Sequence, residues 1–140
     1  MNFLLDTNAV SEWVKPRPNL GLVEWLSQCD ETRTYLSVIT LAELRSGIAR
    51  LDKGRRRAQM ETWLTQDLPQ RFEGRILPVD AVVADAWGEI VAERGLMGRP
   101  ISAMDAFIAA IARVNSMTLV TRNVADFQLS LPQILSPWRN

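Results

Sequence analysis

Short apolar runs alternate with helical patterns along the whole chain, and this alternation narrows the possible folds more than any other feature. The runs are "FLL", "YLSVI", "RILPV" and "TLVT". They are rich in branched and aromatic residues, as strands buried on both faces are. Between them lie segments with the period of an amphipathic helix. "TLAELRSGIARL" puts Leu41, Leu44, Ile48 and Leu51 on one face. "DAVVADAWGEIVAER" does so with Val83, Trp87, Ile90 and Val91, and "SAMDAFIAAIARV" with Met104, Phe107, Ile108 and Ile111. Strands that alternate with helices predict an α/β domain, with a central parallel β-sheet flanked by helices. "RGLMGRPIS" reads as a surface loop leading into the helix of Asp105. No internal repeat, low-complexity tract or linker interrupts the pattern, so residues 1–140 are expected to form a single domain.

A parallel sheet gives its strand ends a meaning, because open α/β sheets bind ligands outside the carboxyl ends of their strands. Asp6 closes the first run. Glu43 follows the second, expected in the first turn of its helix. Asp105 stands just after Ser102, and Asp126 follows "TLVT". If the strands are parallel, all four acids reach one edge. Like charges a few ångströms apart repel by about several kcal/mol even at an effective dielectric of ~20, and a divalent cation would offset this. Each acid also has a purely structural reading. Thr40-x-x-Glu43 and Ser102-x-x-Asp105 fit a helix capping box, Asp6 fits an Asx-turn, and Asp126 fits an ordinary loop acid.

The composition removes whole classes of chemistry. The chain has no histidine, which excludes Ser-His-Asp and Cys-His nucleophile systems, H-E-x-x-H zinc sites and a histidine acid–base pair. With a single cysteine, Cys29, there is no intramolecular disulfide and no ordinary structural zinc site, and a reducing cytoplasm is expected. No phosphate-binding glycine motif is present. No apolar run approaches a membrane span, and no leader segment is recognisable. Enzymatic work would then rest on carboxylates, whose hard oxygens suit magnesium or manganese.

Lysine plus arginine and aspartate plus glutamate number 16 each, so any nucleic-acid contact must come from a local patch. One candidate is Arg45, Arg50, Lys53, Arg55, Arg56 and Arg57, with Asp52 among them. It can neutralise phosphates, contact a protein partner, or simply face solvent. Trp25, Trp63 and Trp87 sit in amphipathic patterns and read as core or interface residues.

"FLLDTNAVSE", "TLAELRSG", "SAMDAFIAAIA" and "LVTRNVADF", in that order over nearly the whole chain, resemble the PIN-domain ribonucleases, and within them the VapC-type toxins of bacterial toxin–antitoxin pairs. The resemblance implies a single PIN-like, Rossmann-like domain and a magnesium-dependent endoribonuclease, with manganese as an alternative ion. It further implies a single-stranded RNA substrate, a cognate antitoxin and a homodimer. On this match Asp6, Glu43 and Asp105 take the three core acidic positions. The fourth is Asn123 or Asp126, with Asp126 included among the catalytic candidates. Asp6 and Asp105 are the expected metal ligands, Glu43 the group that orients or deprotonates water, and Thr7, Ser102 and Thr121 small hydroxyls that orient the acids.

Three rivals stay beside this reading: a non-catalytic PIN-like binding module, a housekeeping RNA-processing nuclease, and a phospho-accepting signalling domain. The last would need a lysine near its final strands, whereas the chain has only Lys15 and Lys53.

Overall fold

The computed structural model describes residues 1–140. Five parallel strands form one sheet: β1 (Phe3–Leu5), β2 (Thr34–Ser37), β3 (Ile76–Leu77), β4 (Thr118–Val120) and β5 (Ile134–Leu135), in the order β3-β2-β1-β4-β5. β1 is central, with Leu4 opposite Tyr35 on one side and Leu119 on the other. From β1 the chain crosses outward to β2 and β3, then returns over the sheet to β4 and continues to β5. The direction of winding therefore reverses between β1 and β4, and that reversal opens the crevice in which such sheets bind ligands.

Successive strand residues point to opposite faces, and the sheet builds two cores from this alternation. Leu4 and Leu119 join one cluster with α6 (Ala81–Leu96) and α7 (Ala103–Val114). Leu5, Leu36 and Val120 join the other, with α1 (Thr7–Trp13), α2 (Leu20–Gln28), α3 (Val38–Ala49) and Phe72. A helical arm of α4 (Arg55–Thr62), a wide π turn (Trp63–Asp67) and α5 (Leu68–Arg71) covers the second face. A short α8 (Val124–Phe127) links β4 to β5. No helix is long and apolar enough to cross a membrane.

Several local expectations are corrected. "YLSVI" is not strand to its end: Ser37 caps α3, its Oγ accepting from the Thr40 amide at 3.1 Å, so Val38 and Ile39 are already helical. Glu43 therefore lies in the second turn rather than the first. A fifth strand, β5, lies in "LPQILSP", outside the four apolar runs. α6 runs on through "RGL", which shortens the loop before α7. On α7, Met104 is exposed, and the buried face is made of Ile108, Ile111 and the alanines at 106, 109, 110 and 112.

Candidate active site

Asp6 follows β1 at the crevice and serves as N-cap of α1. Its backbone N–H still bonds the Val120 carbonyl of β4 at 2.9 Å, so the residue is fixed by the sheet itself. The residue is 5% exposed. It accepts from the Thr7 amide at 2.8 Å, from Thr121 Oγ1 at 2.8 Å and from Asn8 Nδ2 at 3.3 Å. Burial pushes its carboxyl up to about 6, against the bonds from Thr121 and Thr7 and with help from the charges of Asp105 and Glu43. Asn8 staples the two central strand ends together, because its amide also reaches Thr121 Oγ1 and its carbonyl accepts from the Arg122 amide.

Glu43 reaches the same crevice from α3. Thr7 Oγ1 donates to Glu43 Oε1 at 2.6 Å. Having spent its proton there, the Thr7 hydroxyl accepts from Thr40 Oγ1 at 3.0 Å, and Thr40 in turn lies 3.4 Å from Ser37 Oγ. A line of three hydroxyls thus runs from the end of β2 to the Glu43 carboxylate. The capping-box reading of Thr40-x-x-Glu43 does not hold, because Ser37 is the cap and the Glu43 carboxylate is turned to Thr7.

Asp105 is half-buried in the first turn of α7. Ser102 caps that helix by accepting from the Asp105 amide at 3.2 Å, but the Asp105 carboxylate does not bond back to the Ser102 amide. Burial raises the pKa of Asp105; the Ser102 hydroxyl opposes this, the charges of Asp126 and Glu43 add to it, and Arg94 lowers it. Asp126 is exposed on α8, at the rim. Its charge is felt at Asp105, whereas the Asn123 side chain makes no capping bond; Asn123 is held through its backbone, whose N–H donates to Thr121 Oγ1 at 3.0 Å and whose carbonyl accepts from the Asp126 N–H at 3.1 Å.

The crevice therefore brings Asp6, Glu43 and Asp105 together, with Asp126 outside them. None of the four forms an ion pair, since all seven salt bridges lie elsewhere. No three acids stand close enough to grip one ion as they are placed here. What fits a divalent cation is the charge: three carboxylates, one of them buried, that repel one another with no cation paired to them. The phospho-acceptor reading needs a lysine near the final strands, yet the two lysines are Lys15, which follows α1 and pairs with Glu12 at 3.0 Å, and Lys53, which precedes α4. The sequence reading missed Asn8, Thr40 and Ser37, whose roles depend on strand ends meeting in space, and Arg94. Arg94 was accessible in principle: it continues the buried face of α6 four residues beyond Ile90.

Residues 3–128 match the PIN domain. The chain belongs to the PIN-domain family. The Toxin FitB of Neisseria gonorrhoeae is 39% identical to this PIN domain over 137 residues, covering 98% of this chain and 99% of that one. The VapC ribonuclease Y4jK of Sinorhizobium fredii is 34% identical, covering 96% of each. Among solved structures, FitAB bound to an IR36 DNA fragment superposes with a TM-score of 0.92 at 38% identity, covering 99% of this chain and 96% of that one. Ribonucleases of the PIN family are metal-dependent as a class.

Proposed function

We propose that this PIN domain is a magnesium-dependent endoribonuclease that cuts single-stranded RNA, and the toxin of a toxin–antitoxin pair acting in the cytoplasm. The observation that carries this is the convergence of Asp6, Glu43 and Asp105 at the crevice between β1 and β4, without a cationic partner. Asp6 and Asp105 would hold Mg2+ or Mn2+. Such an ion supplies Lewis acidity: it stabilises charge on the scissile phosphate and makes water more acidic. Glu43 takes the proton of the attacking water, and Thr7 keeps its carboxylate turned inward. Thr121 and Asn8 keep Asp6 from rotating away. Asp126 adds negative charge at the rim beside Asp105. As the likeness to PIN-domain ribonucleases implies, water attacks the phosphorus, the P–O3′ bond breaks and the 3′ oxygen leaves with a proton from solvent, so that the products carry a 5′ phosphate and a 3′ hydroxyl.

The antitoxin is supported by the relatives, one named a toxin and one solved within a FitAB assembly on DNA. Purified protein free of any antitoxin should cleave single-stranded RNA in Mg2+ and stop when EDTA is added. Folded protein that leaves such RNA intact in both Mg2+ and Mn2+ would refute the assignment. A small reading frame beside this one, encoding a DNA-binding protein that binds the chain and blocks cleavage, would establish the toxin role.

A further inference from the structure

Arg94 is a buried guanidinium, 5% exposed, at the last turn of α6, and it has no carboxylate partner. It spends its donors on three neutral acceptors instead. Nε donates to the Arg99 carbonyl at 2.7 Å, and Nη1 donates to the Asp126 carbonyl at 3.0 Å and to Ser130 Oγ at 3.2 Å. Burying a charge with no counterion is costly, and an apolar residue of similar volume would serve stability as well or better. Arg99 and Asp126 are themselves exposed residues, so the two carbonyls lie on segments at the surface that the buried guanidinium reaches from inside. What the three bonds do is join two separate segments. One is the loop from Met97 into Ser102, which delivers Asp105 at the start of α7. The other is α8 and the turn after it, which delivers Asp126. Arg113 reinforces the second segment by donating to the Ser130 carbonyl at 2.8 Å, and is itself held by Glu93.

We propose that Arg94 is a positioning residue of the acid edge: by tying the Asp126 carbonyl and the Arg99 loop to one guanidinium, it fixes Asp126 relative to Asp105. The field of Arg94 also reaches Asp105, where it opposes the charges of Asp126 and Glu43. Its significance for catalysis rests on the nuclease reading above; the tie itself does not.

The test is a cycle of wild type, Arg94→Lys, Asp126→Asn and the double variant, with Mn2+ binding measured on the intact protein from the signal of free Mn2+. Lysine keeps the charge but cannot reach three acceptors at once. Loss of an orienting group beside a metal site typically weakens binding by about 10- to 100-fold. Arg94→Lys should therefore weaken Mn2+ binding by about tenfold, and the double variant should lose clearly less than the product of the two single losses. RNA turnover should follow the same cycle through kcat, with KM little changed. Native Mn2+ affinity in folded Arg94→Lys, or losses that multiply in the double variant, would overturn the proposal. If Arg94→Lys does not fold, Ser130→Ala removes one of the three acceptors and should give the same non-additive pattern at reduced size. A wild type that binds no Mn2+ would sink the nuclease reading separately. The tie is then read from amide exchange at residues 97–99, 101–102 and 124–128, which Ser130→Ala and Arg94→Lys must accelerate; unchanged exchange would overturn it.

Discussion

Asp6→Asn should stabilise the protein in the absence of metal. Folding raises the Asp6 carboxyl from 3.8 to about 6, chiefly because the group is buried. A rise of about two pH units corresponds to about 3 kcal/mol. The sign follows from linkage: between those values the folded protein holds a proton that the unfolded chain has lost, so stability falls as pH rises from about 4 to 6 and stays low above. Asparagine removes the charge and with it this loss. It also weakens the bonds from Thr121 and Thr7, each worth about 1 kcal/mol. The net gain at pH 7.5 is then about 1–2 kcal/mol, or roughly 3–8 °C in Tm for a domain of this size. Thermal melts by circular dichroism, in chelator, from pH 4 to 8, measure it. The difference between variant and wild type should grow across that window and level off above it, while other carboxylates cancel. A variant less stable than wild type at pH 7.5, or a difference that ignores pH, would refute the reasoning.

Glu43→Gln should melt within a few degrees of wild type, because Thr7 can still donate to the amide oxygen, yet lose at least about a hundredfold in RNA turnover as proton acceptor; equal turnover would return Glu43 to a structural role. Arg55 and Arg56 open α4, where the helix dipole disfavours cations. If they contact phosphate, Arg55→Ala/Arg56→Ala should weaken RNA binding at low salt and flatten its log–log salt dependence by about 0.7 per lost contact. If they serve an antitoxin, complex formation should weaken instead, and if they only face solvent neither should change. Leu20 and Val23 are exposed on α2, and light scattering at micromolar concentration should return a dimer; a monomer without antitoxin would count against pairing through this face.

The parallel sheet and three of its acids were legible because strand endings and helix starts leave marks in sequence. "FLLD" ends in a carboxylate after an apolar run, and "SAMD" puts a cap three residues before an acid. The start of α3 was not legible, since "SVITL" suits a strand and a helix equally and the choice is made by Ser37 Oγ finding the Thr40 amide. β5 has two residues between prolines, too few to show a period, and its strand character comes from pairing with β4. Alanine carries little periodic signal, so the true buried face of α7 was hidden behind Met104 and Phe107. The polar links among Ser37, Thr40, Thr7 and Glu43, and between Asn8 and Thr121, join residues from different strands and exist only once the sheet has formed.

The central claim is that the carboxylates of the β1–β4 crevice act together on RNA through a divalent cation. Cleavage of a single-stranded RNA by purified Asp105→Asn, beside wild type in Mg2+ and in EDTA, tests it most directly. Folded Asp105→Asn should cleave in Mg2+ no more than wild type does in EDTA. Undiminished cleavage by the variant, or cleavage by wild type that persists in EDTA, would contradict it.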